Sequence, residues 1–135
     1  MDQNHAPQKE KKTILVVDDD TSVLAVVSGF LVDGGYNVLT ASSGTKGLQQ
    51  SRDFKGEIHL LLSDFQLQGT SGADLAIAMT LERPNLKVLL MGFPEGGMPA
   101  LGEGWHFLDK PLVISPLCAL VVALIFLDKK PEFPQ

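Results

Sequence analysis

TILVVDDDTSVLAVVSGFLVDGGYNVLTA, residues 13–41, decides the architecture. Thr13–Val17 is a short β-branched run of the kind that fills a strand covered on both faces. Thr21 or Ser22 can cap a helix through about Val32, with apolar Val23, Leu24, Val26, Val27, Phe30 and Leu31, and Gly34-Gly35 stops it. Asn37–Ala41 then reads as a second strand. The pattern repeats downstream. Ser43 opens a helix to about Arg52, and His59–Ser63 (HLLLS) is a third buried strand. Ser71–Arg83 is a helix closed by Pro84, Leu86–Met91 a fourth strand and Trp105–Leu108 a fifth. Ser115-Pro116 starts a last helix, with Ser as cap and Pro at its first position. Short apolar strands alternating with helices predict an α/β domain, a parallel sheet with helices on both faces.

Composition sets the bounds. A chain of 135 residues, 44% hydrophobic, is expected to form one domain over residues 13–128, between a polar disordered arm (1–12) and a Pro-containing tail (129–135). One cysteine, Cys118, permits no disulfide framework and fits a reducing compartment. Sixteen Asp and Glu against 11 Lys and Arg argue against a nucleic-acid surface, which needs clustered cations. Residues 1–12 lack the apolar core of a signal peptide, and the longest apolar run, Leu117–Leu127, is too short for membrane insertion. The expectation is a small, soluble, cytoplasmic domain.

In a parallel sheet of this kind chemistry sits beyond the carboxyl ends of the strands. Strand one ends in Asp18-Asp19-Asp20, strand three in Asp64 and strand five in Asp109-Lys110-Pro111. Each alone is ordinary: a helix cap, a turn residue, a surface Lys-Pro. In this order on these strands they converge several carboxylates and one ammonium on a single edge. Carboxylates so crowded repel unless a cation intervenes, and Mg²⁺ suits such oxygens. A carboxylate there can attack phosphorus to form an acyl phosphate, with the metal and Lys110 neutralising the transferred group.

ILVVDDD, LLLSDFQLQGTSG and FLDKP resemble the three signatures of response-regulator receiver domains of two-component systems, and the resemblance covers about residues 12–128. It implies a flavodoxin-like, doubly wound five-stranded parallel sheet in the order 2-1-3-4-5. It makes Asp64 the phosphoacceptor and site of phosphorylation. Asp18, Asp19, Asp64 and the Gln66 carbonyl would form the Mg²⁺ site, Asp19 directly and Asp18 through the metal's waters. Lys110 would pair with the phosphoryl group, the Lys110–Pro111 peptide would be cis, and GTSG would be the tight loop into the third helix. The implied partner is a histidine kinase or His-phosphotransfer domain. Such a domain turns over no external substrate as an end in itself, so it is not expected to be an enzyme.

Several positions depart from that pattern. The Ser or Thr usual at the end of strand four is replaced by Gly92, or by Met91 if one residue is deleted, and GFPE resembles the SGYPE of receivers attached to hybrid histidine kinases. Phe107 stands at the switching aromatic and has no hydroxyl. A hydrogen bond to a charged oxygen is worth about 1.5–3 kcal/mol, comparable to a typical coupling energy of about 1–3 kcal/mol, so the usual switch is expected to be nearly silent. The stretch 94–103 (PEGGMPALGE) holds three glycines and two prolines, which predicts a shortened or irregular fourth helix. Gln68 replaces a usual Pro and should loosen its loop slightly. The last helix is apolar almost all round, which predicts either deep burial or a homodimer or neighbouring-domain contact. His59 is read as structural, His106 as lacking a metal partner, Cys118 as an inert core thiol, and Trp105 as packing under the 94–103 segment. The alternative reading is a pseudo-receiver, an interaction module without phosphorylation-driven switching. A haloacid-dehalogenase-type phosphatase fits less well, because it pairs nucleophile and second Asp after strand one on a longer chain.

Overall fold

Every residue of Thr13–Val17 is buried, as its uninterrupted apolar run requires of a central strand. The computed structural model describes residues 11–92, 104–110 and 114–126. Thr13–Val17 is β1, followed by α1 (Thr21–Asp33), β2 (Asn37–Ala41), α2 (Gly44–Asp53), β3 (Leu60–Asp64) and α3 (Gly72–Glu82). β4 (Lys87–Gly92), β5 (Trp105–Asp109) and α4 (Ile114–Phe126) complete the described elements. All strand pairs are parallel, in the order β2-β1-β3-β4-β5.

Alternate strand residues point to opposite faces and build two cores. Ile14, Val16, Leu60, Leu62, Leu89 and Met91 meet α1 and α4 through Leu24, Val27, Leu31, Leu117 and Val121. Leu15, Val17, Leu61, Val88 and Leu90 meet α3 through Leu75, Ala76 and Met79, with Leu48 of α2 alongside. Arg83, at the C-terminal end of α3, donates to Ser51 Oγ and to the carbonyls of Ser51, Phe54 and Gly56, which ties the α2–β3 connection to α3.

The elements match the expectation, with local corrections. The α1 cap is Asp20, not Thr21 or Ser22: its carboxylate accepts from the amides of Ser22 and Val23. A carboxylate at a helix N-terminus meets both the unpaired amides and the dipole. α4 begins at Ile114, so Ser115 and Pro116 lie inside its first turn, where Pro is tolerated. Pairing also reaches one residue into the expected arm, since the Lys12 carbonyl accepts the Asn37 amide at 2.9 Å. His59 precedes β3 and its Nδ1 accepts the Thr13 amide at 3.0 Å, a structural role. Cys118 is half-buried rather than enclosed in the core. The expected irregular segment 94–103, the Lys110–Pro111 peptide, residues 1–10 and the 129–135 tail lie outside the described residues, as does whatever packs on Trp105 from 94–103.

Candidate functional site

The register of the sheet assembles the site. β1 and β3 are neighbours with Val17 opposite Ser63, so Asp18 and Asp64 leave the same edge side by side. Gly92 of β4 lies opposite Asp109 of β5, and the Lys110 amide donates to the Gly92 carbonyl at 2.7 Å. From there the Lys110 Nζ reaches Asp18 Oδ2 at 3.2 Å and Asp64 Oδ2 at 3.1 Å. Asp18 is fully buried, and its Oδ1 accepts the Asp20 amide at 2.9 Å, which orients the carboxylate. Asp64 Oδ1 accepts the Gln66 amide at 3.2 Å. Asp19 is exposed, yet one carboxylate oxygen from each of Asp18, Asp19 and Asp64 lies within 4.8 Å of the other two.

Charge at this edge is unbalanced: three carboxylates face one ammonium. Burial raises the Asp64 carboxyl above its usual range; Lys110 and the Gln66 amide oppose that rise, and Asp18 adds to it. Burial pulls the Lys110 ammonium down, but its bonds and charges with Asp64 and Asp18 outweigh it and leave its pKa raised. Lys110 therefore stays charged at neutral pH. Three hard oxygen donors carrying surplus negative charge fit a small divalent cation.

The structure thus brings together Asp18, Asp19, Asp64 and Lys110, and adds the Gln66 amide. Gly92 and Phe107 sit beside this group and touch each other's space. A Cβ on Gly92 would lie 3.2 Å from Phe107 Cζ and 3.4 Å from Phe65 Cβ. Phe65 and Phe107 meet edge-on with centroids 6.4 Å apart. Met91 points into the opposite core, so Gly92, not Met91, holds the position facing these rings.

Two supporting residues were not singled out from the sequence. Phe65 covers Gly92, and nothing in its local pattern separates it from an ordinary apolar residue. Gly72 lets α3 approach the end of β3: a Cβ there would run into the Asp64 carbonyl oxygen and Phe65 Cα, and its amide donates to the Phe65 carbonyl at 2.9 Å. Its signal was the second glycine of GTSG. The first, Gly69, adopts φ 82°, the left-handed region glycine favours.

Residues 14–121 match the family described as response regulator receiver domain. The chain is 29% identical over 119 residues to the probable transcriptional regulatory protein TcrX of Mycobacterium tuberculosis (strain ATCC 25618 / H37Rv), covering 84% of this chain and 49% of that protein. It is 29% identical over 103 residues to the transcriptional regulatory protein GlrR of Escherichia coli (strain K12), covering 73% of this chain and 23% of the relative. The chain thus spans half or less of the length of these curated relatives. Among solved structures, the crystal structure of the receiver domain from hybrid histidine kinase CckA superposes with a TM-score of 0.75 at 28% identity, over 84% of this chain and 98% of that one. Among the described residues, no helix is long and apolar enough to cross a membrane.

Proposed function

From the premise that this chain belongs to the response regulator receiver domain family, a signalling rather than a substrate-processing family, we propose that it accepts a phosphoryl group onto Asp64 from a histidine kinase or His-phosphotransfer domain in the cytoplasm. The observation that carries this reading is the Lys110 bridge: one ammonium, 13% exposed, held between Asp18 and Asp64 at the carboxyl edge of the sheet. A carboxylate oxygen of Asp64 attacks phosphorus; the new P–O bond forms as the donor's P–N bond breaks, and its electron pair stays on the departing imidazole nitrogen. Asp64 enters ionised and leaves as an acyl phosphate. Lys110 keeps its proton throughout and pairs with the phosphoryl oxygens once Asp64 carries the acyl phosphate. Asp18, Asp19, Asp64 and the Gln66 carbonyl would hold Mg²⁺, which supplies neutralisation of charge on those oxygens.

Intact-mass measurement after incubation with acetyl phosphate and Mg²⁺ tests this reading. The wild-type chain gains one phosphoryl group and Asp64→Asn gains none. An unmodified wild type would instead support a pseudo-receiver, an interaction module without phosphorylation-driven switching. That second reading has its own support in Gly92: no hydroxyl stands there, and Phe65 and Phe107 take up its surroundings. Amide exchange over residues 104–110 on the same samples separates a working switch from a phosphate store.

A further inference from the structure

We propose that β2 pairs antiparallel with β2 of a second copy, a weak two-fold contact that continues the sheet across two chains. β2 is an outermost strand, bonded to β1 alone. The Asn37 amide donates to the Lys12 carbonyl and the Ala41 carbonyl accepts from the Asp18 amide, so residues 37, 39 and 41 turn their backbone toward β1. Val38 and Thr40 turn theirs outward. Among the described residues, the partner on that outer edge is Gln50, whose Nε2 donates to the Thr40 carbonyl at 3.1 Å. Beside it runs an open groove of about 450 Å³, walled by Leu24 of α1 on one side and by Lys46, Gln49, Gln50 and Asp53 of α2 on the other. Thr40 is exposed along it.

Symmetry and charge select the occupant. α1 and α2 lie on opposite faces of the sheet, each seated across β1 and β2. With strands about 4.8 Å apart, pairing two β2 edges sets each helix about 10 Å from its own copy, an ordinary helix–helix spacing. A two-fold axis normal to the sheet at Thr40 makes α2 and its copy antiparallel. Lys46 and Asp53 stand about two turns apart on α2, with Gln50, level with Thr40, between them. Lys46 of each chain therefore meets Asp53 of the other, and the pair forms on both sides of the axis. Gln49 and Gln50 fall near the axis, where a charge would face its own like and an amide does not. A peptide strand from another protein fills the edge equally but leaves Lys46 and Asp53 unmatched. The Gln50 side chain has to swing aside for pairing, which keeps the association weak.

Pairing involves no chemistry at Asp64, so its test stands apart from phosphorylation. Sedimentation equilibrium of the full chain in about 0.1 M salt, over roughly 10 to 500 μM, should show the average mass rising toward two chains. Amide exchange at Val38 and Thr40 should slow over the same range. Lys46→Glu alone and Asp53→Lys alone set like charges together, and each should weaken association at least about fivefold. Mixed in equal amounts, the two variants should associate like wild type, because each heterodimer restores both pairs. Thr40→Pro removes an amide that points to solvent in the single chain, so it should stay monomeric with wild-type circular dichroism. If it does not fold, Gln50→Ala replaces it and should tighten association at least about threefold by freeing the Thr40 carbonyl. A wild type that stays monomeric at the highest concentration overturns the proposal and leaves the edge to another protein's strand. So does a mixture of the two charge variants that associates as weakly as its parts, or a dimer in which Val38 and Thr40 exchange at the monomer rate.

Discussion

Asp64 is a carboxylate kept where ionisation is disfavoured, and that shapes how its removal should act. Its carboxyl is raised above the usual value near 3.8, chiefly by burial. A raised acid pKa means the folded state binds its proton more tightly than the unfolded chain, so stability falls as pH rises through the titration. The penalty is absent below about pH 3.8 and complete once pH exceeds the raised folded value. Asp64→Asn should therefore stabilise the domain at pH 7 by about 1 kcal/mol, because Lys110 keeps Asp18 as a partner. Urea titrations should show that advantage shrinking toward pH 4. Gly92 makes a second residue-scale case. Serine there gains from a less flexible unfolded chain but must displace Phe107, which Phe65 braces. Gly92→Ser should be more favourable by about 1 kcal/mol in a Phe107→Val background than in wild type, read as the coupling energy of a double-mutant cycle. The missing hydroxyl was legible in the sequence. The aromatic cover over Gly92 was not, because Phe65 and Phe107 meet only through strand register.

At the scale of elements, α2 meets α3 through the core, where Gly47 and Leu48 lie against Leu75, and through one side chain besides. Arg83 caps three carbonyls and the Ser51 hydroxyl across the α2–β3 connection. The nearby Arg52–Glu82 pair is exposed and screened by solvent, and contributes little by comparison. Arg83→Ala leaves part-buried carbonyls without donors and should cost about 2 kcal/mol, measured as a lowered urea midpoint with an unchanged slope. Lys in its place supplies one point donor instead of a fork and should recover less than half of that loss. Elements themselves were readable from local chemistry: Ser43 caps α2 through its hydroxyl, as its place at the opening of that helix implied, while Ser71, read as the first residue of α3, is its cap. The α1 cap was misplaced by one or two residues because Asp20 resembles its two acidic neighbours. Asp18 and Asp19 face the site, and Asp20 turns to the helix.

For the whole molecule, charge is divided between faces. Among the described residues, the carboxyl edge concentrates carboxylates, α2 and α3 on one face carry mixed charges, and α1 and α4 on the other carry Asp33 alone. The sequence by itself determined the order of elements, the parallel α/β architecture and the carboxylates and lysine at the strand ends. Those follow from period, caps and strand termini, which are local properties of the chain. The tertiary structure alone decided that Lys110 spans Asp18 and Asp64 across 92 and 46 residues of sequence. It alone decided that two rings enclose Gly92, and that α4 stays half-exposed beside α1 instead of sinking into the core. Each depends on which strands lie adjacent and in what register, and hydrophobic burial across the whole sheet sets that, not any single segment.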